Sequence, residues 1–458
     1  MQRPILYTLT SGLHAGMAVD PRQEPFIREL EAALGTGFDC RGADFTDYGR
    51  SDAPELIYVR TGGTEGLFLE HVAPILRRNG KGQQAISLLT SGLSNSLAAS
   101  MEILSWLRQQ GFAGEILHGS ADYIAARIRG IRGAHNLDSH PATPEFDIRG
   151  EKQPLAHPGG ASNSPMIRPY SFGRILEGQR FGVIGKPSDW LISSGVDYAA
   201  AREVLGAELI DIPIEELVAE ARRTPRPETP PIPGHPLPNQ EGSPENTPIS
   251  GPGARLKPLN APKYGRKIDA ADWQGALDIY GALKSLTRRY RLDGLTLRCF
   301  DLLTALHNTG CLALAILNAE GITATCEGDI PALLSMAVAR ARTGSASFQV
   351  NLSRIEGDRL LFAHCTVPLS IVDDYCYDTH FESGIGVAIH GELSPGPVTL
   401  FKLAPDCRRM FCLPARLVEN SYADRLCRTQ VVIEAPGAAD YFLRTPIGNH
   451  HIIVPGKL

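Results

Sequence analysis

Polar residues that are costly to bury are concentrated in the C-terminal third of this 458-residue chain. Several of them interrupt segments of apolar or small residues, where an unpaired polar group would destabilise a fold. The set comprises Arg298, Asp301, Glu327, Asp329, Asn351, His364, His380, Glu382, Glu392, Glu419, Asn420, His450 and His451. Carboxylates and imidazoles are the side chains from which acid–base pairs and metal sites are built. We therefore expect the chemistry to lie after residue 297.

Two carboxylates stand two residues apart at Glu327 and Asp329, between a predicted strand at 322–325 and a predicted helix at 332–341. At such a junction both can point into a cleft and divide acid and base roles, because neighbouring carboxylates push their pKa values apart. For Asp329 an N-cap of the helix is the alternative, and both interpretations stay open. For Glu327 we favour function over a solvated loop charge, because Cys326 and Gly328 flank it.

Histidines provide the second set of candidate ligands. His364 lies near the end of an apolar predicted strand, where a neutral imidazole suits a divalent transition metal; a buried core histidine is the alternative. His450 and His451 are adjacent before an apolar stretch, and successive residues of a strand point to opposite faces. One of them can line a given cleft while the other packs. His380 and Glu382 form a further polar cluster in the segment THFESG.

Mixed carboxylate and imidazole ligands suit Mn²⁺, Mg²⁺ or Co²⁺ acting as a Lewis acid on adjacent oxygens of a polyol. An aldose–ketose isomerase needs these parts. One carboxylate moves a proton between C1 and C2 through an enediol, while the metal stabilises the developing negative charge. The sequence thus favours a divalent-metal-dependent enzyme acting on a sugar.

Residues 294–456 resemble the L-fucose/L-arabinose isomerase-like (fucose isomerase-like) family. The resemblance is carried by the segments LTLRCFDLL, TATCEGDIPALLSM, FAHCTVP, THFESGIGVAIHGEL, LCRTQ and PIGNHHIIVPG. It implies two N-terminal α/β domains, a C-terminal β-rich domain and a divalent metal, with manganese favoured over magnesium or cobalt. It also implies a homo-oligomer whose active sites lie near subunit interfaces.

The same resemblance implies roles for individual residues. Glu327 corresponds to the first acidic ligand and proton-transfer residue, and a histidine of the GNHH segment, taken as His451, to the late histidine ligand. Asn351 stands where a second acidic ligand is expected, and an amide oxygen can ligate a metal but cannot act as a base. The expected assignments are therefore metal ligands Glu327, Asn351, His364 and His451, catalytic residues Glu327, Asp329 and Glu382, and substrate-binding residues Arg298, His380, Asn449 and His450.

The elements that must position these residues follow an α/β pattern and then a β pattern. Strands predicted at 5–8, 56–60 and 85–90 each end in a small-residue loop, and ligands bind at the carboxyl ends of such parallel strands. The loops TGGTEG and TSGLSNS could bind sugar hydroxyls, serve a neighbouring subunit or form tight turns. A second block begins at Arg180, and strands and turns dominate after Phe348.

We predict two Rossmann-like α/β domains followed by a β-rich, barrel-like domain. The first domain covers 1–175, the second 176–222 with 263–347, and the third 348–458. Residues 223–262 are rich in Pro, Gly, Ser, Glu and Asn, which favours a disordered insertion or linker.

Composition excludes several classes of partner and cofactor. The net charge is −5 without a long basic run, which disfavours nucleic acid. No segment has the roughly 18 apolar residues of a membrane span, so a cytoplasmic protein is expected. The nine cysteines lack a CxxC pair, which disfavours a disulfide framework or thiolate zinc. The spacing in TGGTEG is not GxGxxG, which disfavours a dinucleotide enzyme.

Two alternative functions stay open. Arg298, Arg428 and Lys402 could hold an anion, which would suit a metal-dependent epimerase, lyase or hydrolase acting on a sugar acid or sulfosugar; a surface ion pair is the other interpretation, favoured for Lys402. Asn351 in place of an acidic ligand would also suit a noncatalytic carbohydrate-binding protein of the same fold.

Overall fold

A parallel five-stranded sheet forms the first unit of the computed structural model, which describes residues 2–14, 20–79, 85–131, 166–223, 231–232, 254–257 and 268–458. Its strands are β1 (Ile5–Leu9), β2 (Asp39–Gly42), β3 (Glu55–Val59), β4 (Ile86–Thr90) and β5 (Gly114–Leu117), in the order β2-β1-β3-β4-β5. Its helices are α1 (Pro25–Leu34), α2 (Glu65–His71), α3 (Ala73–Asn79), α4 (Ser96–Gln109) and α5 (Ala121–Gly130).

A second parallel sheet follows the short strand β6 (Ile167–Pro169). It contains β7 (Arg180–Ile184) and β8 (Glu208–Ile212), and after the short pair β9 (Pro231–Ile232) and β10 (Ala254–Arg255) it is completed by β11 (Gly294–Leu297) and β12 (Thr323–Cys326). The strand order is β12-β11-β7-β8. Its helices are α6 (Tyr198–Leu205), α7 (Ile214–Arg223), α8 (Ala270–Tyr290), α9 (Asp301–Ala305), α10 (Cys311–Ala319) and α11 (Ile330–Thr343).

Six antiparallel strands close into a barrel in the C-terminal part of the chain. They are β13 (Phe348–Glu356), β14 (Arg359–His364), β17 (Gly396–Leu403), β18 (Arg409–Ser421), β19 (Thr429–Glu434) and β20 (His451–Pro455). The order is β17-β20-β13-β14-β19-β18, and pairing of β17 with β18 closes the ring. Strands β15 (Asp374–Asp378) and β16 (Ala388–Glu392) form a separate hairpin, and α12 (Ala438–Arg444) precedes β20.

Burial explains why these segments are strands. Strands β1, β3, β4, β11 and β12 are buried along their whole length, which parallel strands covered by helices on both faces require. Apart from Glu55 at the start of β3, their sequences are correspondingly runs of apolar and small residues. The polar residues that follow them stand at the carboxyl ends of the sheets, where a cleft can form.

The predicted mixed α/β fold with a C-terminal β-barrel is confirmed. The assignment of the two parallel sheets to separate Rossmann-like domains, and the predicted domain boundaries, stay predictions. Strand β6, from the predicted first domain, pairs with β18 and so extends the barrel sheet. Asp269 caps α8, since its side chain accepts a hydrogen bond from the Asp272 amide.

Most of the Pro-rich segment 223–262 lies outside the described residues. Within the described part of the chain, no helix is both long and apolar enough to cross a membrane.

Candidate metal centre

Glu327 lies in a sharp elbow between β12 and α11. Its φ is +65° and that of Gly328 is +69°, so two consecutive residues occupy the left-handed region. A Cβ on Gly328 would lie 2.4 Å from the Lys186 carbonyl oxygen, so only glycine fits there. A left-handed glutamate costs about 1–2 kcal/mol, and such backbone strain is concentrated at functional sites. The elbow is therefore the first structural indication that Glu327 has a function.

Three side chains from distant segments meet at this elbow. His364 is the last residue of β14, and His450 immediately precedes β20. The Nε2 atom of His450 lies 3.4 Å from Glu327 Oε1, and the Nε2 atom of His364 lies 4.0 Å from the same oxygen. One ligand atom from each residue lies within 4.8 Å of the other two. This donor set and its spacing fit a divalent metal ion, whose bonds to nitrogen and oxygen are about 2.0–2.2 Å long.

The outward-facing atoms of the three side chains are held by the protein. The Nδ1 atom of His450 lies 2.9 Å from Asp329 Oδ2, and the Nδ1 atom of His364 lies 2.9 Å from Thr366 Oγ1. Trp190 donates its indole N–H to Glu327 Oε2 at 2.5 Å. Partners of this kind fix the ring orientation and tautomer of metal-bound histidines. They leave the two Nε2 atoms and Glu327 Oε1 close together, and His450 Nε2 has no hydrogen-bond partner among the described residues.

Electrostatics within the cluster favour a cation. Burial acts to raise the pKa of Glu327, but the interactions with His450, His364 and Trp190 together outweigh it and the pKa is lowered. Burial acts to lower the pKa of His450, yet Glu327 and Asp329 raise it to about 10. His364 is different, because burial and the neighbouring His450 lower its pKa to about 4. His364 is thus neutral and ready to ligate, whereas a metal ion has to displace a proton from His450.

Asp329 is the N-cap of α11 and also holds His450. Its Oδ1 atom accepts a hydrogen bond from the Ala332 amide at 2.7 Å, which confirms the N-cap of α11. Its Oδ2 atom holds His450 at the same time. The side chain is fully buried and both oxygens are engaged, so the geometry makes Asp329 a positioning residue. Its predicted role as an acid or base is not supported by these contacts.

A cavity opens beside the cluster, between the two parallel sheets and the barrel. From the first sheet it is lined by Gly62, Gly63, Glu65, Asn95, Ala98 and Ala99; from the second by Trp190, Phe300 and Glu327; and from the C-terminal part by Asn351, Glu382 and Asn449. Trp190 and Phe300 meet edge to face, with ring centroids 4.9 Å apart. The cavity therefore combines an aromatic wall with amide and carboxyl groups, as sites for polar organic ligands do.

Several oxygen atoms facing this cavity have no hydrogen-bond partner among the described residues. They are the Oδ1 atoms of Asn95, Asn351 and Asn449 and the Oε2 atom of Glu65. Buried acceptors without partners are rare in folded proteins because each costs about 1–3 kcal/mol. A ligand rich in donors, such as a molecule with several hydroxyl groups, would satisfy them.

Glu382 is the predicted catalytic residue with the most suitable surroundings. It accepts a hydrogen bond from Asn95 Nδ2 at 2.8 Å across the cavity. Burial, followed by the charge of Glu327, raises its pKa to about 7. A carboxyl with a pKa near neutrality can both take up and release a proton at physiological pH.

Glu102 links the first sheet to the loop that carries His450. This fully buried side chain of α4 accepts hydrogen bonds from the backbone amides of Ser193 at 2.7 Å and Asn449 at 2.8 Å. The hydroxyl of Ser194 adds a third donor at 3.0 Å. Backbone amides bind a buried carboxylate without loss of further side-chain entropy. Glu102 therefore holds the backbone at Asn449, next to His450, in a fixed position.

The prediction placed His451 among the metal ligands, but the structure brings His450 to the cluster instead. The ring of His451 packs among Phe411, Tyr441 and Phe442, and its two nitrogens lie within hydrogen-bond distance of Tyr441 Oη and Asn449 O. Both nitrogens are engaged, so none is left for a metal. Successive residues entering a strand face opposite ways, and the register of β20 directs His450 towards Glu327.

Two predicted substrate-binding residues do not reach the cavity lining. Arg298 forms ion pairs with Asp189 at 2.6 Å and Asp301 at 3.0 Å. His380 packs edge to face on Phe300 and lies 3.0 Å from Ser383 Oγ through its Nδ1 atom. Asn449 does line the cavity, as predicted, and Asn351 lines it too without a contact that identifies it as a metal ligand. The cavity is built more from amides and less from cations than the sequence suggested.

The predicted surface ion pair of Lys402 is wrong. Lys402 is fully buried and donates to the His450 carbonyl oxygen at 2.6 Å. Arg428 is also fully buried and lies 3.3 Å from Asp378 Oδ2. Both cations thus support the fold around the site, which leaves neither as a cavity group for an anion.

The sequence analysis named no role for several residues of the site, among them Glu65, Asn95, Trp190 and Thr366. A signal existed for the first two, because TGGTEG and TSGLSNS are loops at the carboxyl ends of parallel strands. Comparison of the chain with family models and with curated proteins finds no match. Function therefore has to be inferred from the geometry of the site.

Proposed function

We propose that this protein is a divalent-metal-dependent sugar isomerase that interconverts an aldose and a ketose. The observation that carries the proposal is the convergence of Glu327, His364 and His450 beside a cavity with unpaired oxygen acceptors. Two imidazoles and one carboxylate suit manganese or cobalt, and magnesium less well because it prefers oxygen ligands. Manganese is our choice among these ions.

Glu327, His364 and His450 would hold the metal, which would supply Lewis acidity to adjacent oxygens of the bound sugar. The amides of Asn95, Asn351 and Asn449 face the same space and can accept hydrogen bonds from sugar hydroxyls. Trp190 and Phe300 exclude water from one wall, which strengthens the electrostatic interactions inside the cavity.

Proton transfer between the two carbons is assigned to Glu382. The Oε1 atom of Glu327 faces two imidazoles and its Oε2 atom accepts from Trp190, so Glu327 is better suited to holding a metal than to acting as a base. Glu382 is free of such a cluster and its pKa of about 7 suits a group that removes a proton from one carbon and returns it to the next.

Anionic substrates are disfavoured by the engagement of the nearby cations. Arg298, Arg428 and Lys402 are each bound to groups of the protein itself. The cavity lining carries three carboxyl groups and no lysine or arginine. A neutral sugar therefore fits better than a sugar acid or sulfosugar.

A second candidate function is noncatalytic carbohydrate binding. Asn351 favours it, because this neutral amide stands where the resemblance to sugar isomerases leads us to expect an acidic ligand. The same metal and sugar contacts would then serve binding alone.

The deciding experiment measures metal content and proton exchange in the same preparations. We expect the wild-type protein to bind about one Mn²⁺ per chain by elemental mass spectrometry, and Glu327→Gln to bind none after dialysis. In deuterated water, aldoses and ketoses are then screened by NMR for interconversion and for deuterium incorporation at C1 or C2, which occurs when the proton held by the base exchanges with solvent at the enediol stage.

Glu382→Gln should keep the metal and lose roughly 10²- to 10⁴-fold in exchange rate, as expected for a lost general base. The matched control is Glu419→Gln, whose exposed carboxylate pairs with Arg359 on the barrel. Equal metal content in wild type and Glu327→Gln would overturn the metal site. A metal-loaded protein that binds sugars without exchange would favour the noncatalytic candidate.

A further inference from the structure

Glu65 is a buried carboxyl that is not part of the candidate metal site of Glu327, His364 and His450. It lies in the first turn of α2, is 2% exposed and lines the cavity. Its Oε2 atom is buried without a hydrogen-bond partner in the described part of the chain. A carboxyl in that condition destabilises the fold unless something outside the chain completes it.

The neighbouring carboxyl groups are each explained by protein contacts. Glu327 faces two imidazoles, Glu382 accepts from Asn95, and Glu102 accepts from the Ser193 and Asn449 amides. Glu65 has no ion pair among the described residues and keeps a buried oxygen unpaired. Its place in the first turn of α2 and the hydrogen bond from its own backbone amide explain one side of the carboxyl and leave the buried Oε2 atom unexplained.

The surrounding charges determine what Glu65 can bind. Burial, and then the charges of Glu102, Glu327 and Glu382, raise the pKa of Glu65 well above its usual range. The raised pKa favours the protonated form of the carboxyl, which offers both a donor and an acceptor. A hydroxyl group, which is itself both donor and acceptor, is the complementary ligand group. An anion would be repelled by the neighbouring carboxylates.

We propose that Glu65 is a ligand-binding residue, which exchanges hydrogen bonds with a hydroxyl group of a neutral polyhydroxy ligand in the cavity. This inference rests on the proposed function for its ligand class. It adds that the first α/β unit selects the ligand, while the metal ligands come from the remainder of the same chain. The loop TGGTEG is then a binding loop as well as a turn.

Two substitutions separate a functional carboxyl from a structural one without knowledge of the sugar. Glu65→Met removes the unpaired group and keeps a similar volume and a good helix former, so the melting temperature of the metal-loaded protein should rise by roughly 1–4 °C. Glu102→Gln is the matched control, because that buried carboxylate is fully partnered and its loss should lower the melting temperature. A fall with Glu65→Met like that of the control would overturn the inference.

Ligand binding is measured with Glu65→Gln against pentitols and hexitols in the presence of Mn²⁺. We expect at least a tenfold weaker affinity than wild type for whichever polyol the wild-type protein binds, with Mn²⁺ affinity unchanged within twofold. Equal polyol affinity in the two proteins would overturn the inference and leave the proposed function intact. If the wild-type protein binds Mn²⁺ but none of these polyols, the proposed function is overturned. The assignment of polyols as the ligand class of Glu65 is then overturned as well.

Discussion

Replacing Asp329 by asparagine should weaken metal binding without unfolding helix α11. Asparagine caps helices about as well as aspartate, so the amide oxygen can keep the hydrogen bond from Ala332. The amide nitrogen would then face His450 Nδ1, at the position where Asp329 Oδ2 now lies 2.9 Å away. An N–H donor there forces Nδ1 to accept, which moves the ring proton to Nε2. That is the nitrogen required by the metal.

The magnitude follows from the burial of the pair. Asp329 and His450 are both fully buried, so water cannot take over the acceptor that Nδ1–H loses when the hydrogen bond is reversed. Loss of a partner that orients a ligating histidine costs about 10- to 100-fold in metal affinity, or about 1.4–2.8 kcal/mol. Asp329 also stabilises the protonated imidazole, but a divalent ion carries twice that charge, so the net effect of the carboxylate favours the metal.

Calorimetric titration of chelator-treated protein with Mn²⁺ measures this change at fixed pH. Asp269→Asn is the matched control, because Asp269 caps α8 through the Asp272 amide and has no contact with the cluster. Both variants should stay folded, because asparagine preserves each helix cap. Equal Mn²⁺ affinity in Asp329→Asn and wild type would refute the argument that Asp329 sets the tautomer of His450.

Three further outcomes are expected. Binding of Mn²⁺ at pH 7 should release about one proton, because the metal displaces it from His450, whose pKa is raised to about 10. Calorimetry in buffers of different ionisation enthalpy measures this release. If no proton is released, His450 is not protonated in the metal-free protein. Gly328→Ala should lower the free energy of unfolding by about 3 kcal/mol or more, because its Cβ would lie 2.4 Å from Lys186 O at φ +69°. The control is Gly344→Ala, which is also left-handed but has open space around it and should cost about 1–2 kcal/mol. Denaturant titrations measure both losses, and equal losses would disprove the steric overlap at Gly328. Burial raises the pKa of Glu55 to about 7, so the contribution of this carboxyl to stability is greatest below its usual pKa and is lost as the pH rises through 7. In urea unfolding between pH 5 and 8, the wild-type protein should lose at most about 3 kcal/mol from this effect and Glu55→Gln should not. Parallel pH profiles of the two proteins would rule out a raised pKa of Glu55.

Local patterns were enough to predict the elements and two of the three cluster residues. Glu327 and His364 stand where predicted strands end, and burial of those strands brings the polar residues that follow them to a common edge. Bounds were less predictable. The helix predicted at 332–341 is observed as Ile330–Thr343, because Asp329 caps it and Pro331 is tolerated in its first turn.

Partners from distant segments were beyond the reach of sequence patterns. Asn95 and Glu382 are separated by 287 residues yet share a hydrogen bond, and no helical or strand periodicity encodes such a contact. The choice between His450 and His451 depended on strand register, which adjacent identical residues leave ambiguous. Lysine is usually a surface residue. Lys402 is buried because its ammonium group donates to the His450 carbonyl oxygen, a contact that exists only in the folded chain.

The hydrogen bonds of Glu102 determine how this chain can be divided or recombined. A fragment holding only the barrel strands would carry His364 and His450 but neither Glu327 nor the carboxylate that anchors the Asn449 amide. Such a fragment would lack a complete donor set even if it folded. Domain grafting, circular permutation or split-reporter designs that aim to keep the site must therefore retain α4, the β12–α11 elbow and the barrel together. For protein engineering, the smallest transferable unit is nearly the whole described molecule.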